Sequence, residues 1–130
     1  KGSKNGIKLG MVVLEKNYLV GQVIEVNYTT SRAILISDLN SNIPVVIEPG
    51  SFQSILSGTG KDYGLIKYSK DELDLDQNAI VYTSGLGGNF RAGLPIGKVN
   101  NQLERLAVQF FSDLSQLSYV KIQSIGLKGQ

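Results

Sequence analysis

The stretch from Ala79 to Asn100, AIVYTSGLGGNFRAGLPIGKVN, holds two short apolar runs joined by a loop with glycine at 85, 87, 88, 93 and 97. Ala79 to Thr83 is β-branched and aromatic, which favours a strand, and Ile96 to Asn100 resumes extended structure. Gly85 to Pro95 between them is not a dinucleotide-binding turn. That motif opens a helix after its strand, and the glycine spacing with Pro95 denies this segment a helix. Glycines in such a loop supply positive φ and close backbone approach, so Gly85, Gly88, Gly93, Pro95 and Gly97 read as structural.

Working towards the N-terminus, short runs of the same kind recur. Lys70 to Asn78 is a polar, acidic connection, and Gly64 to Ser69 alternates as a strand. Gly58-Thr59-Gly60 closes a strand over Phe52 to Ser57. Ile43, Val45 and Ile47 point one way and Val46 and Glu48 the other, while Pro44 argues for an edge position or a strand start. Asp38 to Ser41 is turn chemistry. Ala33 to Ser37, a continuous apolar run, reads as a strand buried on both faces. Gly10 to Leu14 and Leu19 to Asn27, joined at Glu15 to Asn17, read as a hairpin. Residues 1–9 read as a loose tail, polar from Lys1 to Asn5 and unlike a signal peptide. A start without Met suggests a piece of a longer protein.

The C-terminal third supports two readings. Leu103, Leu106, Ala107, Phe110, Leu114 and Leu117 follow helical spacing, and Asn101 with Glu104 fits a capping box. Leu106 to Phe111 and Tyr119 to Ile125 also read as strands. Many short strands with turn signals every 8–12 residues indicate an all-β barrel or sandwich.

Composition narrows the chemistry. The 130 residues include no histidine and no cysteine, so no Ser-His-Asp or Cys-His machinery and no His or Cys metal site is available. The net charge of +2 comes from 13 basic and 11 acidic residues without the basic stripe of a nucleic-acid binder. Ser57 with Lys61 misses the S-x-x-K spacing. Gly58 to Lys61 fails the P-loop pattern at Ile55 and Asp62. Asp74, Asp76 and Asn78 resemble the start of a calcium loop, but Ala79 and Gly85 stand where it needs Gly and Glu. The chain therefore reads as a non-enzyme with no cofactor and no metal.

Thr83 to Val99 resembles the signature loop of the MreC family of bacterial rod-shape-determining proteins. Leu19-Val20-Gly21-Gln22-Val23 followed by Thr30-Ser31-Arg32 is similar to that family's GLVG-V…TSR segment. Ala33 to Pro44 is similar to its VLLLTDPNSRIPV run, and Ile55 to Gly60 to its GI-SG-G turn. The ordered set covers about residues 10–125. Arg91 stands where the family often has Pro after Phe, and Asn78-Ala79 where it often has Gly-Asp; Asn tolerates left-handed backbone.

The resemblance implies a fold of two small β-barrel-like lobes, reminiscent of chymotrypsin-like barrels, over about 19–69 and 79–125. It favours the strand over the helix at Leu106 to Phe111, with a turn at Asp113 to Ser118. It further implies an extracytoplasmic (periplasmic) domain, anchored to the inner membrane in the full-length protein. The implied role is a scaffold of the cell-elongation machinery that organises peptidoglycan synthesis. Its implied partners are the elongation transpeptidase, a penicillin-binding protein, together with MreD. Self-association would run through a coiled coil absent from this chain. The alternatives are a cell-wall polysaccharide-binding module, disfavoured by the lack of Trp, and a carboxylate or Ser-Lys hydrolase. Because proteins dock on loops held by rigid strands, two partner surfaces are expected: a rim at Asn40, Ser41, Ile43 and Pro44, and the glycine loop at Leu86, Phe90 and Arg91. Phe90 is alternatively read as the plug of a barrel end.

Overall fold

Among the described residues ten strands form where short β-branched runs are bounded by turn residues: β1 (Val12–Glu15), β2 (Tyr18–Val26), β3 (Ser31–Leu35), β4 (Asn42–Glu48), β5 (Phe52–Gly58), β6 (Tyr63–Lys67), β7 (Ile80–Thr83), β8 (Pro95–Val99), β9 (Ala107–Phe110) and β10 (Lys121–Gln123). The computed structural model describes residues 1–67, 78–88, 90–103, 105–117 and 119–124. The expected acidic connection and the Asp74–Asp76 pair lie outside the described residues. The β1–β2 hairpin turns on Lys16 and Asn17, with φ of 53° and 73°, the left-handed pair that a two-residue type I′ turn requires.

β4, β5, β6, β9, β8 and β7 close in that order into an antiparallel barrel, and β10, β1, β2 and β3 form a separate four-stranded sheet. The all-β expectation holds. Of the two barrel-like lobes, one closes and the other is an open sheet. The strands are also divided differently from the 19–69 and 79–125 reading. β4 to β6 pair within the barrel, and β10, from the far end of the chain, joins β1 of the sheet. Such non-local pairing leaves no trace in local composition.

The period-2 pattern of β4 fills the barrel: Ile43, Val45 and Ile47 are buried while Val46 and Glu48 are only partly so. They meet Leu56, Val81, Ile96, Val99, Val108 and other apolar side chains in one core, which also takes in Val12, Leu14 and Leu19 from the sheet. The alternate residues Val13, Val20 and Val23 form a second core with Ile7 on the sheet's opposite face. The central strand β1 is thus covered on both sides.

Three local readings are corrected. Residues 1–9 are not a loose tail. The Ser3 and Lys4 amides donate to the Asn27 and Tyr28 carbonyls at 2.8 and 3.0 Å, and Ile7 is buried in the second core. The Ala33 to Ser37 run is not buried on both faces: Ala33 is exposed, Ile34, Leu35 and Ser37 are only partly buried, and Ile36 alone is buried. Pro44 occupies no edge: it lies opposite Ile55 within the closed barrel. Its carbonyl accepts from the Ser84 amide (3.1 Å), one residue before the β4–β7 pairing begins at Val45, so Pro44 stands at the start of that ladder, as the strand-start alternative had it.

The helix suggested by spacing over 102–117 is absent, as the strand reading required. Ala107 to Phe110 pair with both β6 and β8. Asn101 caps a turn instead, its Oδ1 accepting from the Leu106 amide (3.0 Å). The Asp113 turn is closed by the Gln116 amide on the Asp113 carbonyl (3.1 Å).

Candidate interaction surface

Thr83 ends β7 fully buried and holds the glycine loop from beneath. Its amide and carbonyl bond the Leu94 carbonyl (2.9 Å) and the Gly93 amide (2.8 Å). Its hydroxyl donates to the Arg91 carbonyl (2.5 Å) and accepts from the Leu94 amide (2.9 Å). Ser84 continues the anchoring, its amide on the Pro44 carbonyl and its hydroxyl accepting from the Leu86 amide (3.2 Å). The loop is therefore a rigid projection of the barrel.

The glycines make that path possible. Gly85, Gly88 and Gly93 have φ of 80°, 73° and 86°, a region that side chains with Cβ enter at a cost of roughly 1–2 kcal/mol. Gly97 has no positive φ. A Cβ there would strike the Gln109 carbonyl across the β8–β9 pair. Pro95 opens β8 opposite Tyr82, where the β7–β8 register shifts by a bulge.

The loop's side chains divide by environment. Leu86 is 58% exposed and Arg91 is exposed, with no ion pair to any described residue. Phe90 is partly buried and packs against the barrel core, so it serves as an anchor beneath the exposed pair. The rim divides likewise. Ser41 and Ile43 are buried, at 5% and 2% exposure: Ser41 closes the turn by donating its amide to the Asp38 carbonyl (2.9 Å) and accepts from the Gly58 amide of β5 (3.0 Å), and Ile43 belongs to the barrel's inner face. Asn40 is exposed, its amide held by the Asp38 carboxylate (2.8 Å), and Pro44 is partly exposed. Leu39 at the turn's tip, which sequence reasoning did not single out, is 71% exposed.

The residues considered for catalysis are otherwise engaged. The Ser57 hydroxyl donates to Asn42 Oδ1 (2.6 Å) inside the β4–β5 pair. Gly58 to Lys61 is a turn between strands, Thr59 Oγ1 donating to the Tyr63 carbonyl (2.7 Å). Among the described residues no three of His, Cys, Asp and Glu group so as to hold a metal ion, and no helix is long and apolar enough to cross a membrane.

A closed six-stranded barrel beside an open sheet, with this loop on its surface, agrees with what comparison finds. Residues 1–124 match the family model for the barrel core of the rod shape-determining protein MreC. The chain belongs to the MreC family. The cell shape-determining protein MreC of Caulobacter vibrioides is 36% identical over 122 residues, covering 93% of this chain and 35% of that protein. A solved MreC structure superposes with a TM-score of 0.82 at 28% identity, over 95% of this chain and 74% of the other. The same fold occurs in the complex between Penicillin-Binding Protein (PBP2) and MreC from Helicobacter pylori. That match has a TM-score of 0.65 at 19% identity, covering 88% of this chain and 76% of that one. The chain spans 28–41% of the length of the curated MreC relatives it matches. The MreC match includes residues 1–9, consistent with their docked structure.

Thr83 is the residue anchoring the loop that sequence reasoning missed. Its signal was its place, a β-branched hydroxyl at the last strand position before a glycine loop. Such hydroxyls bond to nearby backbone.

Proposed function

We propose that this domain is a non-catalytic docking module of the bacterial cell-elongation machinery. It helps maintain rod shape by organising peptidoglycan-synthesis enzymes on the periplasmic side of the inner membrane. The observation that carries the reading is the family match over residues 1–124. The Helicobacter pylori complex, in which an MreC meets a penicillin-binding protein, supports the elongation transpeptidase as the partner class. MreD is a second partner in the same proposal, with membrane anchoring and coiled-coil self-association supplied by other parts of the full-length protein. The Ser57–Asn42 bond speaks against a serine nucleophile.

The docking face on this reading is the glycine loop, through Leu86 and Arg91, with Asn40 and Pro44 as a lesser rim. Arginine is favoured at interface hot spots, and a pre-ordered loop spends little entropy on binding. In the full-length protein, Arg91→Glu should leave melting unchanged and lower capture of a detergent-solubilised elongation transpeptidase at least tenfold. Phe90→Ala should instead destabilise by about 1–3 kcal/mol, less than the roughly 3–5 of a fully buried Phe. Unchanged capture by Arg91→Glu would dismiss the loop as the docking site.

A further inference from the structure

Strand β3 leaves one edge of the sheet open. Its Ile36 extension donates its amide to Val20 and its Thr30 lead-in accepts from Asn27, so even-numbered residues turn their backbone groups towards β2. Backbone direction alternates along a strand, which leaves Ser31 and Ala33 presenting theirs outward together with the Leu35 amide, the Leu35 carbonyl being taken by the Asp38 amide (3.0 Å). Among the described residues no strand pairs on that side. Beyond Leu35 the edge closes, because the Ser37 carbonyl accepts from the Gly60 amide (2.7 Å).

A groove of about 810 Å³ runs from Leu35 and Ser37 past Lys61 and Asp62 to the Phe111–Ser115 segment. A second depression continues it along Ala33, Asp38 and Leu39. The first volume lies within the roughly 300–1,000 Å³ of ligand clefts. Three carboxylates, Asp38, Asp62 and Asp113, line these walls against the single cation Lys61. The groove is thus acidic on a chain whose net charge is +2. The Ser115 hydroxyl and amide donate to Asp113 Oδ1 at 2.6 and 3.0 Å and hold its carboxyl below the usual carboxylate range. Ser112, also in the wall, is 8% exposed, and its hydroxyl is buried without a partner. A buried hydroxyl left unbonded costs free energy.

We infer that the β3 edge and its acidic groove bind an extended, lysine- or arginine-bearing segment of a partner protein by strand addition. Main-chain bonds from Ser31, Ala33 and the Leu35 amide would supply affinity. The groove carboxylates would select basic side chains on alternate positions, the division of labour usual for strand addition. A second copy of this chain is the wrong occupant, because two-fold pairing of β3 edges sets one acidic groove against another. Arg32, paired with Glu25 at 3.4 Å, and the bulge opposite it also protect the edge from indiscriminate pairing. The inference stands apart from the glycine-loop reading, since it is read on this chain alone, without the transpeptidase.

The test uses a fluorescein-labelled heptapeptide alternating lysine and valine, and its glutamate counterpart, with fluorescence anisotropy and amide NMR. The lysine peptide should bind at least tenfold more tightly, and Asp62→Lys should weaken it at least threefold. Ala33→Pro removes only an outward donor, so it should fold as the parent does and weaken binding at least tenfold. Slowed amide exchange at Ala33 and Leu35 in the parent complex gives the same answer without any variant. Equal binding of the two peptides, shifts located away from β3, or a β3-paired dimer of the free chain would overturn the inference.

Discussion

Gly97→Ala should destabilise the chain by about 2–4 kcal/mol, beyond the roughly 1–3 usual for overpacking a core. Gly97 sits in β8 between Val81 of β7 and Phe110 of β9. An added Cβ would meet the Gln109 carbonyl oxygen and carbon and the Phe110 Cα, all backbone atoms. No side-chain rotation relieves that contact. β8 must move away from β9, and in a closed barrel the displacement passes to every neighbouring pair. Gly93→Ala is the control. Its φ is 86° and a Cβ would meet nothing within 4 Å, so the cost should be near the roughly 1–2 kcal/mol of left-handed backbone alone. Urea midpoints for the two variants decide the matter. Equal midpoints would show that β8 and β9 are less tightly apposed than described. The expected loss is a large share of the roughly 5–15 kcal/mol that holds a domain together.

These two glycines show what sequence can carry and what it cannot. Both were legible as structural, but only pairing distinguishes the one with positive φ from the one pressed against a neighbouring strand. The inward set Ile43, Val45 and Ile47 was legible because burial on one face of a strand writes itself into alternate residues. The helical spacing from Leu103 to Leu117 misled for a physical reason. Those apolar residues serve different surroundings: Leu103 is 48% exposed in a turn, Phe110 fills the barrel core, and Leu117 packs on the second core. Two turns separate them, so the period is a coincidence of three environments. β3 was misread because a continuous apolar run cannot by itself reveal whether both faces of its strand are covered. The N-terminal segment looked dispensable because its docking depends on the distant Asn27 and Tyr28. The loop itself was legible from its glycines and Pro95. The burial of Ser41 and Ile43 was not, since it follows from how the turn meets Gly58.

Thr83→Val should lower stability by about 2–4 kcal/mol, although it keeps the volume and branching of the side chain. The exchange is not conservative, because the hydroxyl is the substance of the site. Valine leaves the Leu94 amide without its acceptor at 2.9 Å and the Arg91 carbonyl without its donor at 2.5 Å. Each buried group left unpaired costs roughly 1–3 kcal/mol. Thr83→Ser keeps both bonds and loses one methyl, worth about 0.8 kcal/mol per buried carbon. The order of stability should therefore be Thr, then Ser, then Val, the reverse of the order of side-chain hydrophobicity between the two variants. Amide exchange at Leu94 reports the same bond directly and should accelerate in Thr83→Val ahead of the barrel amides. If Thr83→Val melts with the parent, the loop is held by its main-chain bonds alone. If the order holds, one hydroxyl fixes where Leu86 and Arg91 project. Thr83→Val should then also reduce transpeptidase capture at temperatures where the barrel remains folded, because the loop would lose its pre-ordered shape before the fold is lost.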